Sequence, residues 1–276
     1  MYQEYRPSSF QILPPVVKNL LIINGLFYFA NWVMQNKFNF DFIEYLGLYF
    51  PESQKFRSYQ LVTHLFMHGS FLHLISNMFA LWMFGNMLEN LWGSKRFLTY
   101  YLVTGLGAAM VHLLFTWYEI DQMRSAVMSY AATADISSFQ IFLNKIFGNT
   151  HPEVLNNFVS SWQMNPENLS LKKQSVDFAY SLLGEKIDVP TVGASGAVLG
   201  VLLAFGMLFP NTILYLYFAL PIKAKYFVAL YGLFELYSGF ENKPGDNVAH
   251  FAHLGGMLFG FILIKIWSKY NRKNFY

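Results

Sequence analysis

Val189-Pro190-Thr191-Val192-Gly193-Ala194-Ser195-Gly196 opens an apolar run that continues to Phe209 without one charged residue. About 20 such residues cross a bilayer as a helix. The serine at its mouth has two readings. Gly196 and Gly200 form a GxxxG pair, and small residues of this kind let membrane helices touch. Alternatively, Ser195 is a nucleophile, weak until a base takes its proton, with small neighbours that let backbone and substrate approach. Taken alone, packing is the stronger reading. A second segment reverses the order: Ala249-His250-Phe251-Ala252-His253-Leu254-Gly255-Gly256 begins another apolar run. It puts a candidate base at a comparable place on a different helix.

Composition points to a membrane. Of 276 residues, 54% are hydrophobic, 19% aromatic and only 13% charged. The charged share is about half that of a soluble domain. A net charge of +3, with no basic tract, excludes nucleic acid as the expected partner. The chain has no cysteine, hence no disulfide, thiol nucleophile or thiolate metal site. Met1–Pro15 is polar and ends in Pro14-Pro15, so no cleavable signal is expected and the first apolar run reads as retained.

Windows of about 20 residues predict six spans: Val17–Met34, Phe71–Leu91, Phe97–Trp117, Thr191–Phe209, Ile222–Phe240 and Val248–Trp267. The fifth is short, aromatic-rich and carries Glu235. Before it, the apolar Ile213–Leu220 reads as an interfacial or re-entrant piece. No repeat relates the two halves, unlike many transporters. Lys95, Arg96, Lys223, Lys225, Lys269, Arg272 and Lys273, with Arg6 and Lys18, fall on one side, with only Glu4 and Glu89 among the acids there. The positive-inside rule makes that side, and both termini, cytoplasmic in a cell membrane. Most acids, including Asp41, Glu44, Glu52, Glu241 and Asp246, fall on the other side. The polar stretch Tyr118–Pro190 lies there too, an insertion between spans three and four. It reads as a structural elaboration of one membrane domain covering 1–276, not as a domain of its own.

On this topology spans two, four and six all enter from outside. His73 and Asn77 lie early in span two, Ser195 early in span four and His253 early in span six. At about 1.5 Å per residue, parity of crossing brings the four to one depth. Histidine and asparagine are costly in lipid and usually face the bundle interior or a wet cavity. His253 is suited to take the Ser195 proton and return it to a leaving amine. His73 and Asn77, four apart on one helical face, are suited to stabilise an oxyanion with the backbone N–H of Ser195. Gly256 and Gly260 below His253, and Gly196 and Gly200 below Ser195, let the two helices come close.

The chain resembles the rhomboid intramembrane serine proteases. The matching pieces are His68-Gly69-Ser70-Phe71-Leu72-His73-Leu74-Ile75-Ser76-Asn77, Gly193-Ala194-Ser195-Gly196 and Ala252-His253-Leu254-Gly255-Gly256, in the family's order and on its second, fourth and sixth helices. The resemblance implies an all-α polytopic membrane protein, a six-transmembrane-helix bundle of the bacterial type. It implies a Ser195–His253 dyad with His73 and Asn77 at the oxyanion site. It further implies cleavage of single-span or otherwise membrane-embedded protein substrates near the outer face, after small residues, often alanine. Three departures stand out. Phe56-Arg57 replaces the family's frequent Trp-Arg pair, leaving Arg57 to anchor the first outer loop to lipid phosphates or carbonyls. Leu199 stands where some relatives stack a tyrosine on the imidazole. The 118–190 insertion has no counterpart.

Other readings are weaker. His64 and His68, four apart, and His250 and His253, three apart, have spacings that zinc ligands use, but there is no HExxH motif. No metal or other cofactor is expected, and a metal-dependent membrane hydrolase is an alternative. His68 and His250 read as lining a wet cavity or packing loops, and His112 as structural. Glu235 reads as functional by its place in a membrane helix, or as a loop partner. A non-catalytic binder of membrane helices usually loses the serine or the histidine, and both are here. A transporter or channel predicts charged or broken helices deeper in the bilayer. The oligomeric state and substrate are not legible.

Overall fold

The computed structural model describes residues 10–148, 152–216, 219–241 and 248–273. Of the charges that orient the chain, Glu4, Arg6 and Asp246, and the side chains of Arg272 and Lys273, lie outside that description. Helix α1 (Pro15–Phe38) begins with proline in its first turn, where a missing N–H is harmless. Its free N-terminal donors are met by Glu89, which accepts from Val16 N (2.9 Å) and Val17 N (2.8 Å) and from the Ser94 hydroxyl (2.6 Å). Helix α2 (Phe71–Trp92) follows Ser70, whose side chain accepts the His73 N–H. A π-turn at Leu81–Gly85 interrupts it. Helix α3 (Ser94–Thr133) runs 40 residues unbroken.

The insertion is helical. It comprises α4 (Ile136–Phe147), α5 (Glu153–Met164) and α6 (Leu169–Ile187). At about 1.5 Å per residue α3 is roughly 60 Å long, twice the hydrocarbon thickness. Its last turns leave the bundle and pack Ala126, Val127 and Tyr130 against Phe139, Phe142, Trp162 and Ala179, a second core separate from that of the spans. The Asp135–Ser138 capping box starts α4.

Helix α7 (Ser195–Leu208) is followed by a two-stranded hairpin, β1 (Ile213–Leu216) and β2 (Leu220–Lys223), then by α8 (Ala224–Glu241) and α9 (His250–Lys273). The predicted interfacial piece is thus this antiparallel hairpin. All six predicted spans contain helix. By length and composition α1, α2, α3 and the Lys269-bounded part of α9 suffice to cross a membrane. Helix α7, at 14 residues, covers only about 21 Å. Its predicted first residues, Thr191 to Ala194, lie outside the helix instead, and Leu48 and Thr191 exchange backbone hydrogen bonds (2.9 and 2.8 Å). A short helix is tolerated here because α7 is enclosed: Val198, Val201, Leu202 and Phe205 join Phe97, Tyr100 and Tyr101 of α3 and Leu81, Phe84 and Leu88 of α2 in the main core. A helix apolar all round belongs in such an interior.

Candidate active site

The first outer loop and the loop before α7 are clamped together. Buried Gln60 donates to the carbonyls of Tyr45 (3.1 Å) and Lys55 (3.0 Å) and accepts from Arg57 N (3.0 Å). Arg57 turns its guanidinium back onto the carbonyls of Gln54 (2.9 Å) and Phe56 (2.7 Å), bracing its own loop. The Ser53 hydroxyl donates to Asp188 (2.6 Å), and Gly193 N to the His64 carbonyl (2.9 Å). These bonds hold the segment that leads to Ser195 at Asp188 and Gly193.

Gly193 has φ +123°, a conformation that favours glycine. It also has no room for a side chain. A Cβ there would lie 2.7 Å from His73 Cε1, 2.8 Å from His73 Nε2 and 3.7 Å from Ser195 Oγ. The His73 imidazole and the Ser195 hydroxyl therefore flank one point. One turn on from His73, Asn77 is buried, and its Nδ2 donor has no hydrogen-bond partner among the described residues. A buried orphan donor needs an explanation.

Helix α9 brings His253 to the same level. A Cβ on Gly256 would overlap the backbone carbonyl of Gly196, and one on Gly196 would lie 3.3 Å from the Ala252 carbonyl oxygen. Only glycines allow α7 and α9 to cross this closely. Ser195, the first residue of α7, and His253, one residue after Ala252, stand at that crossing. Ser195 Oγ makes no hydrogen bond among the described residues, His253 included. Catalytic hydrogen bonds are often loose before substrate arrives. On its other side, His253 Nδ1 lies 2.8 Å from Glu235 Oε2, and His250 Nδ1 lies 2.6 Å from the same oxygen.

The remaining histidines divide. His64 Nδ1–H donates to the Gln60 carbonyl (2.8 Å), and burial holds its pKa down at about 4. His68 is buried, edge-on to His73 with ring centroids 5.0 Å apart. Burial, then the charge of His73, lowers its pKa to about 4. His112 Nε2 meets Thr191 Oγ1 at 2.6 Å. With His64, Thr191, Gly193, Ser195 and Ala252 it walls a cavity of about 20 Å³, room for about one water. His112, expected from the sequence to be structural, thus lines this cavity, and its intramembrane place at the outer end of span three is the signal that marks it. Among the described residues, those whose ligand atoms gather within 4.8 Å are Glu235, His250 and His253. The spacing-based set of His64, His68, His250 and His253 is not that cluster: the His64 Nδ1 is committed to the backbone and His68 faces His73.

A family model described as "Rhomboid domain" matches residues 55–145 and 170–270. The gap in the match lies within the insertion. Among curated proteins, the chain is 43% identical over 83 residues to Rhomboid-like protein 11, chloroplastic, of Arabidopsis thaliana, a stretch covering 30% of this chain and 28% of that protein. It is 29% identical over 94 residues to Rhomboid protease GluP of Bacillus subtilis (strain 168), covering 33% and 18%. To RHOMBOID-like protein 5 of A. thaliana it is 38% identical over 56 residues, covering 20% and 18%. The matched stretches thus span less than a third of each relative.

Proposed function

The chain belongs to the rhomboid family, and from that premise we propose that it is an intramembrane serine endopeptidase acting on membrane-embedded protein substrates near the outer face. The observation that carries this reading is the glycine-only crossing of α7 and α9. It holds Ser195 and His253 at one level, with His73 against Ser195 across Gly193.

In this reading Ser195 Oγ attacks the scissile carbonyl carbon while His253 Nε2 takes its proton. The oxyanion that forms is met by Asn77 Nδ2, by His73 and by the backbone N–H of Ser195. The protonated imidazole then gives its proton to the leaving amine, and a water, activated by the same base, frees the acyl group. A peptide bond in an intact helix is shielded, so the substrate must unwind near the outer end. Helix α8 is the expected lateral wall: Leu230, Leu233, Phe234 and Tyr237 are exposed, as befits a helix that packs mainly through one face. Both termini are read as cytoplasmic, from the placement of lysine and arginine.

The test is cleavage of a single-span reporter by full-length protein in liposomes. Wild type is expected to cut it, and Ser195→Ala to lose the activity by up to about a million-fold. Undiminished cleavage by folded Ser195→Ala overturns the reading.

A further inference from the structure

We propose that Glu235 is a positioning residue for the base, fixing His253 with its Nδ1–H toward α8 and its Nε2 lone pair toward Ser195. This rests on the reading of Ser195 and His253 as nucleophile and base.

Glu235 is 2% exposed in an otherwise apolar stretch of a helix whose neighbouring Leu233 and Phe234 are exposed. A buried carboxylate is tolerated only with partners. Its partners are two imidazoles, and both use Nδ1 on the same oxygen, Oε2, at 2.8 Å from His253 and 2.6 Å from His250. An ionised carboxylate only accepts hydrogen bonds. Both Nδ1 atoms therefore carry protons, and in the neutral ring of His253 the lone pair is left on Nε2. That is the tautomer a base for Ser195 needs. Ring stacking does not supply this orientation: among the described residues the ring nearest His253 is His250, 6.3 Å away and perpendicular. Leu199 offers no ring.

The carboxylate also acts during the reaction. When the Ser195 proton moves to Nε2, the ring becomes an imidazolium with its Nδ1–H still on Glu235, and the negative charge there stabilises it. Among the described residues, the other titratable groups that face this pair are Tyr231, which lies within electrostatic reach of Glu235, and His73 and His112, which lie within reach of His253. None of these brings another negative charge at neutral pH. Glu235 is thus the acid, among the described residues, that faces His253. Because Glu235 sits on α8, the helix expected to wall the substrate path, the orientation of the base depends on α8 being seated.

Three measurements on full-length protein in detergent test this. In the wild type, nitrogen-15 NMR of labelled histidines, with His253 assigned by its loss in His253→Ala, is expected to show the neutral Nδ1–H tautomer. The Nε2–H tautomer overturns the proposal without any Glu235 variant having to fold. Second, Glu235→Gln is expected to lower kcat about 10²–10⁴-fold with little change in KM. Its acid limb in kcat/KM should move to lower pH, since an imidazole without its carboxylate protonates less readily. Glu235→Asp should restore part of both. Wild-type turnover with an unmoved limb in folded Glu235→Gln overturns the positioning role. If Ser195→Ala is nevertheless inactive, the serine protease reading survives that failure; if Ser195→Ala is active, it is that reading that fails. Third, phenanthroline is expected to leave turnover unchanged. Loss on chelation, restored by zinc, would make Glu235, His250 and His253 a metal site and overturn the proposal.

Discussion

At the scale of single residues, Asn77 is the proposed oxyanion donor whose state in the fold makes a specific prediction. Asn77 Nδ2 is buried without a partner among the described residues, and such a donor contributes only once charge appears opposite it. Asn77→Ala is therefore expected to lower kcat by about 2.7–4 kcal/mol in barrier terms, with substrate affinity little changed. Single-turnover and binding measurements on one substrate separate the two. Weak binding with normal turnover of bound substrate would make Asn77 a recognition residue. His64 and His68 carry a different consequence. Burial depresses both to a pKa of about 4 in the fold, against about 6.5 unfolded. Their contribution to stability is complete above about pH 6.5 and is lost as pH falls toward 4, because the unfolded chain binds protons that the fold refuses. The melting temperature in detergent is expected to drop across that window, and the drop to be smaller in His68→Leu. An equal slope in both proteins would count against this assignment. Residues such as Ser195, His253, His73 and Asn77 are legible because parity of crossing alone sets their depth. Glu235 and His112 are only half legible. Their depth is plain, but their roles depend on how α8 and α3 are rotated, which no local pattern encodes.

At the scale of elements, the capping of α1 is the clearest dependency. Glu89 meets two N–H groups of the first turn and the Ser94 hydroxyl, joining the starts of α1 and α3 to the end of α2. Its negative charge at a helix N-terminus is favourable twice over, by hydrogen bonding and by the helix dipole. Glu89→Ala is expected to cost about 1–3 kcal/mol of stability, read as a lower unfolding midpoint with probe labelling of Ser195 retained below it. An unchanged midpoint would show the cap to be dispensable. The sequence treats Glu89 only as a charge on one side of the membrane, since its partners on α1 are more than 70 residues away. Helix limits show the same division. Span three is read as ending near Trp117, where the apolar run stops, yet α3 continues to Thr133 because Tyr118–Thr133 contains no proline or glycine. Span four is read from Thr191, yet its helix begins at Ser195, because Leu48 captures Thr191 in a bridge and Gly193 turns the chain.

At the scale of the whole molecule, two cores divide the labour. The main core holds the spans in place, and the second holds α4, α5 and α6 on the far end of α3. Among the described residues, the side-chain bonds from the insertion to the first outer loop lie at its base, Arg124 to Glu52 and Ser53 to Asp188, while Lys186 to Glu119 (3.1 Å) ties its two ends together. Exchanging Gln122–Glu185 for a short Gly/Ser linker is accordingly expected to preserve labelling of Ser195 while altering which membrane substrates are cut. Loss of labelling in a folded exchange variant would show that the insertion shapes the site itself. The most direct measurement of the central claim is mass spectrometric mapping of the fluorophosphonate adduct on full-length protein. The account expects one adduct, on Ser195 Oγ, absent in Ser195→Ala and formed far more slowly in His253→Ala. An adduct on another residue, or labelling of Ser195 that is indifferent to His253, would contradict it.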